Sequence, residues 1–90
     1  MAKGTLSSPP YVEKLTKALQ KKLSGADIDH EFVRKDRYRF VVVWKKFDKM
    51  DHPERQRLVW EIAKEALPPK SLWNISMILT LGPSDLPSGE

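Results

Sequence analysis

From Tyr38 to Pro69 the chain reads YRFVVVWKKFDKMDHPERQRLVWEIAKEALPP, and the order of patterns in this stretch decides the fold. Residues 38–44 are β-branched and aromatic, and apolar on both alternating phases toward their end. That is the pattern of a central strand covered on both faces. Residues 45–50 make a short basic connector holding Phe47, after which Asp51-His52-Pro53-Glu54 has the form of a capping box, Asp51 as cap and Glu54 three residues on. Leu58, Val59, Ile62, Ala63, Ala66 and Leu67 then share one helical face. Pro68-Pro69 ends that helix, because proline has no amide hydrogen and disfavours helical geometry in the residue before it.

Working outward, the segment before residue 38 changes period twice. Ser8 followed by Pro9 and Pro10 predicts a helix start, with Ser8 as cap. Val12, Leu15, Leu19 and Leu23 recur at helical spacing, Lys14, Lys17, Lys21 and Lys22 take the other faces, and Ser24-Gly25 ends the helix. From Ala26 the period is two. Ala26, Ile28, His30 and Phe32 alternate with Asp27, Asp29 and Glu31, as in a half-buried strand joined to residues 38–44 through a polar turn at 34–36. Beyond Pro69, Ile75, Met77, Leu79 and Leu81 share one phase of a third strand, with Asn74, Ser76, Ile78 and Thr80 on the other.

The order helix, strand, strand, helix, strand predicts an α/β (α+β) domain. A strand that returns after a crossover helix runs parallel to strand two, while strand one pairs antiparallel with it, so two helices cover one face of a three-stranded mixed sheet. Ninety residues allow one core. The division expected is a flexible N-terminus at 1–7, one domain at 8–81 and a flexible tail at 82–90, where prolines, glycines and serines cluster. Trp44, Trp60 and Trp73 are expected in the core, Trp60 lying nearest the edge of its helix face.

Composition narrows the function classes. With 40% hydrophobic and 31% charged residues the chain is that of an ordinary globular protein. The absence of cysteine removes disulfides, thiolate nucleophiles and clusters held by the chain's own sulfur. No apolar run approaches the roughly 20 residues that cross a bilayer, and residues 1–10 lack the apolar core of a signal peptide, so a cytoplasmic protein without a membrane partner is expected. A net charge of +4 sets a mild positive field suited to acidic protein surfaces or nucleic acid. No Ser/His/Asp or Cys/His set, Gly-rich phosphate loop or His-Glu metalloprotease spacing occurs, which argues against an enzyme.

The element order, with a short helical turn in the connector, resembles the BolA-like domain, a variant of the type II KH-like fold, as α-β-β-(short α)-α-β. The residues add to the likeness. The run Asp36-Arg37-Tyr38-Arg39-Phe40-Val41-Val42-Val43-Trp44-Lys45-Lys46-Phe47-Asp48 looks like the family's strand two, in which Ser-His-Phe-Lys precedes valines, a variable pair and Phe-Glu. Pro53-Glu54-Arg55-Gln56-Arg57-Leu58-Val59-Trp60 resembles the helix signature Arg-His-Arg-Leu-Val-Tyr, and residues 80–85 resemble Thr-Tyr-Thr-Pro-Glu at the end of strand three. The chain also departs from the pattern. Asn74, or Trp73 with a register shift of one, stands where the family has a histidine in His-Ala-Leu, and Gln56 stands where the helix signature often has histidine.

The resemblance implies a binding module rather than a catalyst, with a monothiol glutaredoxin as partner and a glutathione-held iron–sulfur cluster shared between the two proteins. No cofactor is intrinsic to the chain itself. The residues placed at such a partner surface are Arg55, Gln56, Arg57, Lys45, Lys46, Lys49 and Asn74. Arginines there bind an acidic surface or a glutathione carboxylate through forked hydrogen bonds. An amide is a poor ligand for a soft cluster, which leaves no metal ligand beyond His30 as a weak candidate, since His30 and His52 sit singly on separate elements. The alternative is nucleic-acid binding by a basic KH-like face at Arg34, Lys35, Arg37 and Arg39. Against it, the Gly-x-x-Gly loop with which KH domains clamp a nucleic-acid backbone has no counterpart. A monomer or weak homodimer is expected.

Overall fold

The structure, a computed structural model of the chain, describes residues 9–86. In chain order it contains α1 (Pro10–Lys22), β1 (Asp27–Arg34), β2 (Arg37–Val43), a 3-10 connector turn (Lys45–Lys49), α2 (His52–Ala66), the one-turn helix α3 (Pro69–Leu72), β3 (Ile75–Leu81) and a C-terminal 3-10 turn (Pro83–Asp85). The sheet order is β1-β2-β3, with β1 antiparallel and β3 parallel to β2. This is the mixed three-stranded sheet expected from the sequence. Among the described residues no helix is long and apolar enough to cross a membrane.

Local chemistry sets most boundaries. Ser8 lies outside the described residues, and Pro9 takes the cap position of α1 with Pro10 as its first helical residue, where a missing N–H costs no hydrogen bond. Gly25, at φ +83°, lets the chain turn out of α1 into β1. The capping box of α2 forms as read: Asp51 Oδ1 accepts the Glu54 N–H at 3.0 Å and Glu54 Oε1 accepts the Asp51 N–H at 3.4 Å. Pro68 follows the α2 cap at Leu67, but Pro69 then opens α3. The proline pair therefore both stops one helix and starts another turn.

The core lies between the helices and one face of the sheet. Val12, Leu15 and Leu19 of α1, Val59, Ile62 and Ala63 of α2, Phe40 and Val42 of β2, and Phe47 of the connector are all buried in one cluster. Each large side chain so buried contributes about 1.5–3 kcal/mol relative to exposure, and Phe40 and Val42 make β2 the anchor of the sheet.

Several expectations are corrected. The valine run of β2 is covered on one face only: Val41 and Val43 are half-buried and point to the side without helices, in register with Leu79 and Leu81 of β3. The shared phase expected for Ile75, Met77, Leu79 and Leu81 is broken by a register shift, since Tyr38 pairs with Ile75 but Arg39 pairs with Met77. The shift keeps Ile75 inside and brings Ile78 and Thr80 inward, leaving Met77 43% exposed. Trp73, expected in the core, is 73% exposed. It caps α3 at the turn into β3, and Ile75 takes the inward position two residues later.

The tail expected from residue 82 starts later. Ser84 donates both its N–H (3.2 Å) and its hydroxyl (2.5 Å) to Asp48 Oδ1 of the connector, and the Gly82 N–H donates to Asp85 Oδ2 at 2.9 Å. A Cβ at Gly82 would overlap the Asp48 carboxylate, so this close approach requires glycine. Residues 87–90 lie outside the described residues.

Candidate functional site

Arg55 was expected to project toward a partner, and the structure corrects this. It is 6% exposed. Its Nε donates to the Met50 carbonyl at 2.9 Å, and Nη1 donates to the Thr80 carbonyl at 3.2 Å and to Asp85 Oδ2 at 2.9 Å. The guanidinium also sits over the Phe47 ring, 5.7 Å from its centroid. One side chain thus joins the connector, β3 and the C-terminal turn. A buried charge needs this density of bonds, because each unsatisfied donor would carry its full desolvation cost. The Gly82 amide and then the Arg55 guanidinium hold the Asp85 carboxyl below its ordinary range.

Gln56 is also turned inward. Its Nε2 donates to the Ile78 carbonyl at 2.8 Å and to Thr80 Oγ1 at 3.3 Å, while its Oε1 accepts the Trp60 indole N–H at 3.1 Å. It covers the edge of β3 at the foot of a shallow cavity of about 400 Å3, which His52 and Trp60 line from α2. Arg57, one residue on, is exposed.

The expected lysines do come together. Lys45, Lys46 and Lys49 rim a groove of about 540 Å3 whose floor is Trp44, Met50 and Leu58. The connector winds as a 3-10 turn pinned by buried Phe47, which leaves the three lysines exposed. Lys46 Nζ lies 5.5 Å from the centroid of the Trp44 ring, within cation–π range. The sequence reading missed the floor. Leu58 had been assigned to the helix core, and only the placement of Trp44 directly before three lysines in six positions hinted at it.

The hairpin end of the sheet is built differently. Asn74 Nδ2 donates to the Asp36 carbonyl at 2.7 Å and so braces the β1–β2 turn, where Asp36 adopts φ +55°. Arg34, Lys35 and Arg37 are exposed around that turn. Arg39 is not available with them, since it is bonded to Glu31 across the strand pair. Trp73 shares a cavity of about 400 Å3 with Arg37, Pro69, Leu72 and Ile75.

An iron–sulfur cluster shared with a partner would need an imidazole or thiolate from this chain. Asn74 offers neither and its amide is engaged, while the His30 ring packs 5.9 Å from the Tyr38 and Phe40 rings. His52 lies beside β3, across the sheet from His30 on β1. Among the described residues no group of three or more His, Cys, Asp or Glu is placed to hold a metal ion. Asn74 does not fit the ligand role, and His30 and His52 stand as single imidazoles on separate elements.

Helices on one face of a β1-β2-β3 mixed sheet, with a connector turn before α2, define a small α+β domain of KH-like type. Solved structures place it more narrowly, in the BolA-like fold. BolA1 from Arabidopsis thaliana superposes with a TM-score of 0.68 at 22% identity, covering 89% of this chain and 100% of that one. The BolA domain of SufE1 from Arabidopsis thaliana gives 0.68 at 13% identity over the same shares. A bol-like protein from Babesia bovis gives 0.51 at 14% identity, covering 81% of this chain and 85% of its own. No protein-family model matches the sequence, and no curated protein matches it significantly.

Two outcomes follow from the Arg55 arrangement. Replacing Arg55 with Met removes three hydrogen bonds and leaves the buried Thr80 carbonyl unsatisfied, a loss of about 2–4 kcal/mol, whereas Arg57→Glu on the exposed face changes stability by under about 0.5 kcal/mol. Urea unfolding of the two variants measures both. Because the folded Asp85 carboxyl is held below its ordinary range, its contribution is present at neutral pH and is lost as pH falls through the folded value. Unfolding midpoints should therefore differ between wild type and Asp85→Asn at pH 7 and converge well below about pH 4; a gap that stays constant with pH would show that the carboxylate charge contributes nothing.

Proposed function

We propose that the chain is a non-catalytic binding module that engages a protein partner through the lysine-rimmed groove of the connector, with a monothiol glutaredoxin or another iron–sulfur-handling protein as the partner class. The observation that carries this reading is the groove itself, an apolar floor of Trp44, Met50 and Leu58 beneath three lysines, with no carboxylate among its lining residues. Apolar contact supplies affinity at such a surface, and the charges steer an acidic partner onto it. The neighbour described as the BolA domain of SufE1 supports the module reading. With Asn74 bracing the turn, the partner is held by charge and packing rather than through a shared metal ligand. Arg55, Gln56 and Asn74 serve the scaffold, and Arg57 lies outside the groove lining.

Gel filtration and titration with a cluster-loaded monothiol glutaredoxin test this. A complex should form whose visible cluster band equals that of the glutaredoxin alone. The triple variant Lys45→Glu, Lys46→Glu, Lys49→Glu should weaken the complex about tenfold or more, equivalent to about 1.4 kcal/mol. No complex, or undiminished affinity in the triple variant, rejects the reading.

A second reading, single-stranded nucleic acid at the hairpin end, is favoured by one observation: Trp73 is 73% exposed and shares a cavity with Arg37. An open aromatic ring beside cations is what a base-stacking platform requires. Trp73→Ala should then weaken binding of short single-stranded DNA or RNA by about 1–3 kcal/mol in a fluorescence titration at low salt. Equal affinity in wild type and Trp73→Ala would reduce this reading to non-specific charge.

A further inference from the structure

We infer that the connector groove receives a linear acidic segment of a partner chain, one large apolar side chain resting on Trp44, Met50 and Leu58 while its flanking carboxylates meet Lys45, Lys46 and Lys49. The inference rests on the protein-binding reading above and names the chemical form of what is bound.

The shape fits an anchored segment. A groove of about 540 Å3 lies within the range of roughly 300–1,000 Å3 in which small ligands are buried, so it accepts a side chain with its adjoining backbone. The floor is fixed in advance. Trp44 donates its indole N–H to the Ser24 carbonyl at 2.9 Å and packs at 86° on Phe47, 5.3 Å between centroids. The Met50 carbonyl is held by Arg55 Nε. A pre-formed floor spares a ligand the ordering cost that a flexible one would impose.

No carboxylate lines the groove, and the oxygens of the neighbouring acids are hydrogen-bonded to groups other than the lysines. Asp48, inside the connector, accepts both bonds from Ser84 of the C-terminal turn. Asp51 and Glu54 are tied into each other's backbone by the capping box of α2. The three lysines therefore face the groove without an ion pair from the connector's own carboxylates. They are spread along the turn at positions 45, 46 and 49, which suits a row of carboxylates better than a single anionic head.

The test is fluorescence anisotropy on the whole chain with three labelled peptides: alternating Asp and Glu around one central Phe, the same peptide with Phe→Ala, and the Phe peptide with every acid replaced by its amide. The first should bind. The other two should bind at least about tenfold more weakly, as should Lys46→Glu/Lys49→Glu protein with the first peptide, and binding should collapse in about 1 M salt, where the screening length is near 3 Å. Arg34→Glu/Lys35→Glu protein, altered at the β1–β2 turn away from the groove, should bind like wild type. Equal binding of the Phe→Ala peptide, equal loss in the Arg34/Lys35 variant, or displacement of the peptide by oligothymidylate as effectively as by unlabelled peptide would each overturn the inference. If no peptide binds while glutaredoxin capture still depends on Lys45, Lys46 and Lys49, the linear segment is wrong and the wider reading stands. Specific peptide binding without glutaredoxin capture means the reverse.

Discussion

The arrangement depends on one buried guanidinium. Arg55 gathers the Met50 carbonyl, the Thr80 carbonyl and the Asp85 carboxylate, with Phe47 beneath it. No apolar side chain could do this, because the three acceptors come from three separate segments and each needs a donor aimed at it. The second clasp, Ser84 on Asp48, uses the close approach that Gly82 permits. Together they fix the connector against β3 and the C-terminal turn. The lysine groove is a consequence of that placement, since its rim is the connector and its floor spans connector and α2.

The scaffold has the BolA-like fold, and several residues that give the sequence its likeness have structural duties here. In the segment Arg55-Gln56-Arg57-Leu58-Val59, Arg55 forms the clasp and Gln56 covers the edge of β3. Leu58 floors the groove and Val59 is in the core. At the opposite end of the sheet Asn74 braces a turn. The two ends have thus diverged in chemistry: one presents ammonium groups over an apolar floor, the other an exposed indole beside arginine.

Much of this architecture was legible from periodicity. The switch from helical spacing to alternation and back, the valine run and the capping box located α1, β1, β2, α2 and the parallel return of β3, because each rests on local sequence. Met77 and Leu79 face away from the helices because of a register shift, Val41 and Val43 lack a second layer because the sheet is clothed on one side, and Trp73 faces outward because it caps α3 ahead of the strand; none of these leaves a periodic trace. Arg55 looked like a surface residue because its carboxylate partner lies thirty positions away in a segment that composition marked as tail. The lysines were found because charge clusters are visible in one dimension, and the floor beneath them was not.

The distance along the chain between Arg55 and Asp85 also bears on how the molecule assembles. Strands β1 and β2 meet through a tight turn and can pair as soon as both have been synthesised, whereas β3 must travel back across α2 to lie parallel to β2. Until residue 85 has left the ribosome, the Arg55 charge has no carboxylate to receive it and the connector no second anchor. A chain halted before Gly82 would therefore carry the three lysines without the Ser84 and Asp85 contacts that hold the connector in place.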